Sequence, residues 1–559
     1  MLSTTRIPRT ASLLGLAMVT AAFTGAGLHS SARSKPTPVL RAPATPIQHL
    51  VVIFGENISF DHYFGTYPKA LNPQGEPTFT AAAGTPKVDG LTTALLTHNP
   101  TRANTLNGRN ASNPFRIARS QAATSSQSHN YTLEQLAYNH GRADLFPKYT
   151  GNAMTGGIGA FGAPAIVMGY FDGNTTTALW NYAQHFAMSD NSYSDQYGPS
   201  TPGALNLIAG QTNGITIVKQ LDSTFYVHDG QGGFTLTNDA APAGDVCSDS
   251  SAGESTYEIT SSGKNIGDLL NSADVSWGWF EGGFDLTRPN STGGKGCFRT
   301  TTSPLSAYSQ ADYIPHHEPF QYYASTANPR HLRPSSVAGI GSSHDGANHQ
   351  YDLHDFFDAV SAGNFPTVSY LKASAFQDGH SGYSDPLDEQ TFIVQVMNFL
   401  EQRPEWSSTA VVIMYDDSDG WYDHRVATPT NGSFDARADQ LDKLGACGVK
   451  GRTPQLDGPA GRGPVNGRCG PGTRQPFLVV SPWSKVNYVD HTLITQSSVL
   501  RFIEDNWLGG QRLGGGSFDA TSGSINGLFD FAAGGHVPAL FLDDTLGTRV
   551  STPSSRLPQ

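Results

Sequence analysis

Basic charge is scarce in this chain. Against 47 Asp and Glu stand only 35 Lys and Arg, a net charge of −12, and no basic run stands out, which argues against a nucleic-acid backbone as main partner. Cysteine is scarcer still, with four in 559 residues. A disulfide-dense scaffold is excluded, and the spacings of Cys247, Cys297, Cys447 and Cys469 do not suit a zinc site. Beyond residue 32 long apolar runs are missing, so no second membrane-spanning segment is expected. Internal repeats are missing too, and 61 Gly and 35 Pro fall short of a collagenous or low-complexity composition. What is left is a loop-rich globular protein, long enough for a sizeable core.

At the N-terminus, Arg6 and Arg9 precede an apolar stretch from Ala11 to Leu28 and the small residues Ser30-Ser31-Ala32. This is the layout of a signal peptide over residues 1–32, and Thr and Gly inside the apolar run weaken the rival reading of an anchoring helix. Residues 33–45, polar and Pro-rich, read as a linker. The expected destination is secreted or periplasmic. An even cysteine count in an exported chain predicts disulfides. Both sequence-neighbour pairs lie in Gly-rich stretches without periodicity, where a crosslink restrains loops, so Cys247–Cys297 and Cys447–Cys469 are the expected pairings.

Three short apolar runs, Leu50-Val51-Val52-Ile53-Phe54, Ala410-Val411-Val412-Ile413-Met414 and Phe477-Leu478-Val479-Val480, have the composition of strands buried on both faces. Helical periodicity occupies 131–140, 203–210, 348–361, 388–403 and 493–507. Alternating strands and amphipathic helices predict an α/β sheet, with 213–345 and 424–474 as loop-rich elaborations over it. One catalytic domain is expected over 46–510, with 511–559 as its C-terminal segment.

The first run leads straight into Gly55-Glu56-Asn57, and polar groups at a strand's C-terminal end stand where open α/β sheets bind ligands. Glu56 and Asn57 can offer oxygens to a cation there; Asn57 or Ser59 as a helix cap is the rival reading. The second run leads into Tyr415-Asp416-Asp417-Ser418-Asp419-Gly420-Trp421-Tyr422-Asp423, four acids within eight residues. Charges this close repel unless a cation or a basic partner offsets them, so a divalent metal is the economical explanation. An EF-hand loop fits poorly, with its Gly one residue early and no closing Glu; an exposed acidic turn is the remaining alternative. In Gly198-Pro199-Ser200-Thr201-Pro202, leading into an apolar helix, a Ser200 or Thr201 hydroxyl stands at a helix start, which suits a phosphate and a nucleophile as well as an ordinary N-cap. Several of the 18 histidines lie in polar clusters, among them His129, His316-His317 and His380, where they can move protons, ligate a metal or bind a phosphoryl oxygen. Trp180, Trp277, Trp279, Phe280, Tyr322 and Tyr323 offer either a cage for a quaternary ammonium or core.

Taken in order, these segments resemble the bacterial phosphoesterase family of phospholipases C and secreted acid phosphatases. The likeness runs through Glu56-Asn57 with Ser59-Phe60-Asp61-His62, His129-Asn130, Ser189-Asp190-Asn191, Gly198-Pro199-Ser200-Thr201-Pro202 and His316-His317. It continues through Asn348-His349-Gln350-Tyr351-Asp352, Pro366 to Lys372, Tyr415-Asp416-Asp417 and Pro476-Phe477 to Ser481-Pro482, covering roughly 46–508. The resemblance implies an alkaline-phosphatase-like central sheet flanked by helices, and one divalent metal ion held by Glu56, Asn57, Asp416, Asp417 and the oxygen of the nucleophile. It also implies Ser200 as that nucleophile and His129, His317 and His380 as active-site histidines. At Gly203 the chain departs from the Asn and basic residue of many relatives, which keeps Thr201 in contention. The implied substrate is a phosphate monoester or a phospholipid, the latter with transient contact at a membrane surface. His316-His317-Glu318-Pro319-Phe320 looks nearer the acid phosphatases. The alternative from another class is a secreted metal-stabilised binding protein without turnover.

Overall fold

The structure, a computed structural model, describes residues 42–151, 156–219, 223–248 and 257–558. The leader expected over 1–32 and all but the last four residues of the linker lie outside the described residues.

The first apolar run forms β1 (His49–Gly55) and the second β6 (Thr409–Tyr415). They pair in parallel, with Leu50 beside Ala410 and Gly55 beside Tyr415. Around them lies an eight-stranded sheet that adds β2 (Ala187–Ser189), β3 (Trp277–Glu281), β4 (Gln350–Asp352), β5 (Val368–Lys372), β7 (Phe477–Val480) and β8 (Tyr488–Asp490). The order is β4-β3-β5-β1-β6-β7-β2-β8, and only β7 runs against its neighbours.

The runs are continuous because both faces of the sheet are covered. Val51, Ile53, Val411 and Ile413 join one core with α2 (Thr177–His185), α4 (Leu353–Ser361) and α5 (Pro386–Leu400). Leu50, Val52, Phe54, Val412 and Met414 join the other, with α3 (Ser200–Ala209) and α6 (Ser497–Trp507). The remaining periodic segment near residue 131 becomes α1 (Tyr131–Tyr138). The expected mixed α/β architecture is present, and both disulfides pair as expected, Cys247 with Cys297 and Cys447 with Cys469. Among the described residues no helix is long and apolar enough to cross a membrane.

Two expectations are corrected. The stretch 213–345 is not wholly an elaboration, because Trp277–Glu281 enters the sheet between β4 and β5; Trp-Gly-Trp-Phe-Glu lacks the aliphatic run that marks β1, β6 and β7. The rest of that stretch supplies a separate five-stranded sheet, built from 213–219, 226–228, 234–236, 241–242 and 258–261. The helix expected over 348–361 begins only at Leu353. Asn348 and His349 take positive φ, Gln350–Asp352 is the sheet's edge strand, and Asp352 caps the helix by accepting from His354 N. Of the two readings of the aromatic residues the structure selects core: Trp180, Trp277, Trp279, Phe280, Tyr322 and Tyr323 are at most 3 % exposed and pack in the two cores.

Candidate active site

Because β1 and β6 are parallel and end in register, the residues just past them, Glu56 and Asp416, emerge side by side at the sheet's C-terminal edge. Asn57 follows in left-handed conformation, φ 59°, which Asn tolerates better than most residues. Its backbone N–H donates to Asp416 Oδ1 at 2.9 Å. Asp419 N donates to Asp417 Oδ1 at 2.6 Å, curling the second loop back on itself. The self-contained calcium loop is thereby replaced by oxygens converging from segments far apart in sequence.

Ser200 opens α3 and is buried. Its Oγ stands 3.0 Å from Glu56 Oε2, 3.2 Å from Asp417 Oδ2 and 3.5 Å from Asn57 Oδ1. Gly203, one turn on, explains the departure at that position: a Cβ there would lie 2.4 Å from the Asp416 carbonyl oxygen and 3.1 Å from its Cα. The helix that carries Ser200 therefore rests directly on the backbone of the Asp416 loop. Glu134 joins the same parts from the side, accepting from Gly198 N at 2.9 Å and from Ser418 Oγ at 2.7 Å.

Three buried carboxylates, Glu56, Asp416 and Asp417, share this spot with one wholly buried cation, Lys372, which donates to Glu56 Oε1. Burial pushes Glu56 and Asp417 well above the usual carboxylate range, and the Asp416 charge pushes both further. In Asp416 burial acts the same way, but Lys372 and hydrogen bonds outweigh it and hold the group low. A site that raises carboxyl pKa values by mutual repulsion is one where a divalent cation can replace the protons.

The spacing agrees with that chemistry. Metal–oxygen bonds of about 2.1–2.5 Å at right angles place neighbouring ligand oxygens about 3.0–3.5 Å apart, the range found around Ser200 Oγ. The Asn57 amide, oriented to satisfy its neighbours, donates to Glu56 Oε2 at 2.5 Å and to Asp416 Oδ1 and Oδ2 at 3.0 and 3.1 Å and accepts from His380 Nε2 at 3.1 Å; a bound cation would take its oxygen instead.

The three expected histidines gather here and differ in charge. His129 Nδ1 lies 3.0 Å from Asp419 Oδ1. Although burial opposes its charge, Asp417 and Asp419 raise its pKa well above the usual value. Burial lowers His380, whose Nδ1 lies 2.6 Å from the Ser381 carbonyl oxygen. Burial and the Lys372 charge depress His317 further; its Nδ1 is 3.4 Å from Glu56 Oε1. Ser200, the three histidines, His316 and Asp239 line one cavity of about 410 Å³.

Among the described residues, two groups able to hold a metal border this pocket, Glu56–His317–Asp378 and His129–His380–Asp419. Elsewhere Asp61, Asp423 and His424 are already neutralised by Arg474, and Cys247 beside Asp245 and His331 is tied in a disulfide. Other segments of the resemblance are engaged away from Ser200: His62 stacks on Trp421 and His349 bonds the Trp277 carbonyl through Nδ1. Sequence reasoning assigned no role to Lys372, Glu134, Asp378 or Asp419. Only Lys372, a lone Lys closing an otherwise uncharged strand, and Asp419, within the acid run, carried a visible signal.

The Phosphoesterase family model matches residues 47–508. A non-hemolytic phospholipase C of Pseudomonas aeruginosa is 25 % identical over 518 residues, 89 % of this chain and 59 % of that protein. Phospholipase C A of Mycobacterium tuberculosis is 23 % identical over 82 % of this chain and 72 % of its own length. A non-hemolytic phospholipase C of Burkholderia pseudomallei is 26 % identical over 82 % and 55 % respectively. The chain thus spans less than two thirds of the Pseudomonas and Burkholderia proteins it matches.

Proposed function

Because the chain belongs to the Phosphoesterase family, we propose that it is a secreted metal-dependent hydrolase of phosphoric esters, of phospholipase C or acid phosphatase type, working through a phosphoserine intermediate. The observation that carries this reading is the placement of Ser200 Oγ, at a helix start and 3.0 and 3.2 Å from carboxylates of two separate strand ends. The family resemblance adds an alkaline-phosphatase-like arrangement of the catalytic domain, 46–510 with 511–559, preceded by a leader at 1–32.

Glu56, Asn57, Asp416, Asp417 and Ser200 Oγ would hold one divalent ion. Such an ion, when bound, supplies a lowered hydroxyl pKa and neutralises charge on the phosphoryl oxygens. Ser200 Oγ attacks phosphorus in line, its proton passing to Glu56 Oε2. His129, 3.0 Å from Asp419, gives its proton to the departing alcohol oxygen. Neutral again, it takes a proton from the water that hydrolyses the phosphoserine, while Glu56 returns its proton to the departing Ser200 Oγ, so both groups serve both half-reactions. His317 and His380, neutral by burial, orient the phosphoryl group instead.

Because the relatives carry the name phospholipase C, a phospholipid joins the soluble monoester as a proposed substrate, with transient membrane-surface contact. The test is a panel of p-nitrophenyl phosphate and its phosphorylcholine diester, with and without added divalent metals. Metal-dependent release of nitrophenol supports the reading. Hydrolysis of neither would leave a metal-stabilised binding protein.

A further inference from the structure

The cavity above Ser200 is unequal in charge. Thr201, the second residue of α3, donates its backbone N–H to Asp239 Oδ1 at 2.9 Å. N–H groups in a helix's first turn are natural partners for a substrate anion, yet here a carboxylate of the protein takes one of them. Asp239 arrives between strands of the five-stranded sheet and is steadied by its own N–H, which donates to Asn238 Oδ1 at 2.9 Å. It is half-buried and lines the cavity with Ser200 and His129. Among the described lining residues there is no Lys or Arg to offset it. Phe225 and Tyr257, packed with ring centroids 4.3 Å apart, complete that wall with apolar surface.

We propose that Asp239 sets the charge selectivity of the site, disfavouring dianionic phosphate monoesters and favouring monoanionic phosphodiesters. The inference rests on the phosphoesterase reading and names its substrate class. Both ester types present the same phosphorus to Ser200, but a monoester brings one more negative charge within reach of a carboxylate fixed beside the nucleophile. Repulsion between like charges at a partly exposed site, where water screens it, amounts to about a tenfold difference in kcat/KM. The apolar wall of Phe225 and Tyr257 gives a diester's second substituent a surface to lie on, which a bare phosphate does not use.

The experiment compares kcat/KM for p-nitrophenyl phosphate and bis(p-nitrophenyl) phosphate at about pH 7.5, where the monoester is mostly dianionic, using the metal-loaded full chain. Asp239→Asn keeps an oxygen for Thr201 N and removes the charge. It is expected to raise the monoester-to-diester ratio about tenfold, less so at high salt. Asp239→Glu keeps the charge and is expected to keep the wild-type ratio. Inorganic phosphate, as an inhibitor of diester turnover, should bind Asp239→Asn tighter by a similar factor. A ratio and an inhibition constant within about twofold of wild type in Asp239→Asn, or equal shifts in Asn and Glu variants, would overturn the proposal and leave Asp239 a helix cap. Wild-type protein that hydrolyses neither ester would instead overturn the phosphoesterase reading, and this inference with it.

Discussion

The Asn57 backbone N–H donates to Asp416 Oδ1 at 2.9 Å across 359 residues of sequence. This one bond fixes the loop after β1 to the loop after β6, so Glu56, Asn57, Asp416 and Asp417 reach Ser200 as one unit. What the two loops do together is open to direct measurement.

Ser200→Ala removes the nucleophile's oxygen and one oxygen of the cation pocket. Turnover of either nitrophenyl ester is expected to fall by on the order of a thousandfold or more, with the unfolding temperature nearly unchanged. Wild-type turnover in the variant would remove Ser200 from the mechanism.

Glu56→Gln and Asp416→Asn each take a charge from the cation pocket. Both should purify with less than the wild-type metal content and lose activity, and a chelator should silence the wild type. Elemental analysis checks the first expectation; full metal occupancy in both variants would move the site elsewhere.

Lys372→Met leaves Glu56 and Asp416 buried without their cation. Breaking a buried pair in this way costs about 3–5 kcal/mol, and here a metal ion can supply the missing charge. The loss, read from denaturant unfolding, is therefore expected to be larger in chelated than in metal-loaded protein. Equal losses in both states would separate Lys372 from the metal site.

Gly203→Ala places a methyl group against the Asp416 carbonyl. Overpacking of this kind costs about 1–3 kcal/mol, and the relief available is a shift of α3, which moves Ser200 off the carboxylates. Activity should fall by more than the loss in unfolding temperature implies, with kcat reduced rather than KM raised.

His424 tests a second, purely structural cluster. Burial opposes its charge, but Asp61 and Asp89 push its pKa up from 6.5 to about 10. A cation held more firmly in the folded state contributes stability that is complete below its unfolded pKa and is lost as pH rises through the folded one. His424→Gln should therefore lower the unfolding temperature most below about pH 6.5, and the gap to wild type should close towards about pH 10. A gap that widens with pH would contradict the assignment.

Much of this was legible from residue order alone. β1 and β6 announced themselves because strands covered on both sides need unbroken apolar runs, and polar residues directly after such runs marked the sheet edge where Ser200 now stands. The partners that balance charge were not legible. Lys372 closes a strand whose burial depends on β3, and β3 itself was hidden by two Trp and a Gly. Glu134 read as an ordinary residue in the first turn of α1, since the loops it joins come together only in the folded chain. The aromatic residues misled in the opposite direction: their chemistry suits a cationic ligand, but their sequence positions do not reveal that helices and strands enclose them.

Asp239, Phe225 and Tyr257, on segments that flank strands of the five-stranded sheet, line the cavity without joining Glu56, Asn57 and Asp417 around Ser200 Oγ. On the proposals above, reactivity and discrimination would lie on separate stretches of chain. Swapping residues 213–261 between members of the family would exchange preferences while the reacting centre stayed as it is, an arrangement that lets descent with modification try new esters at small risk to turnover.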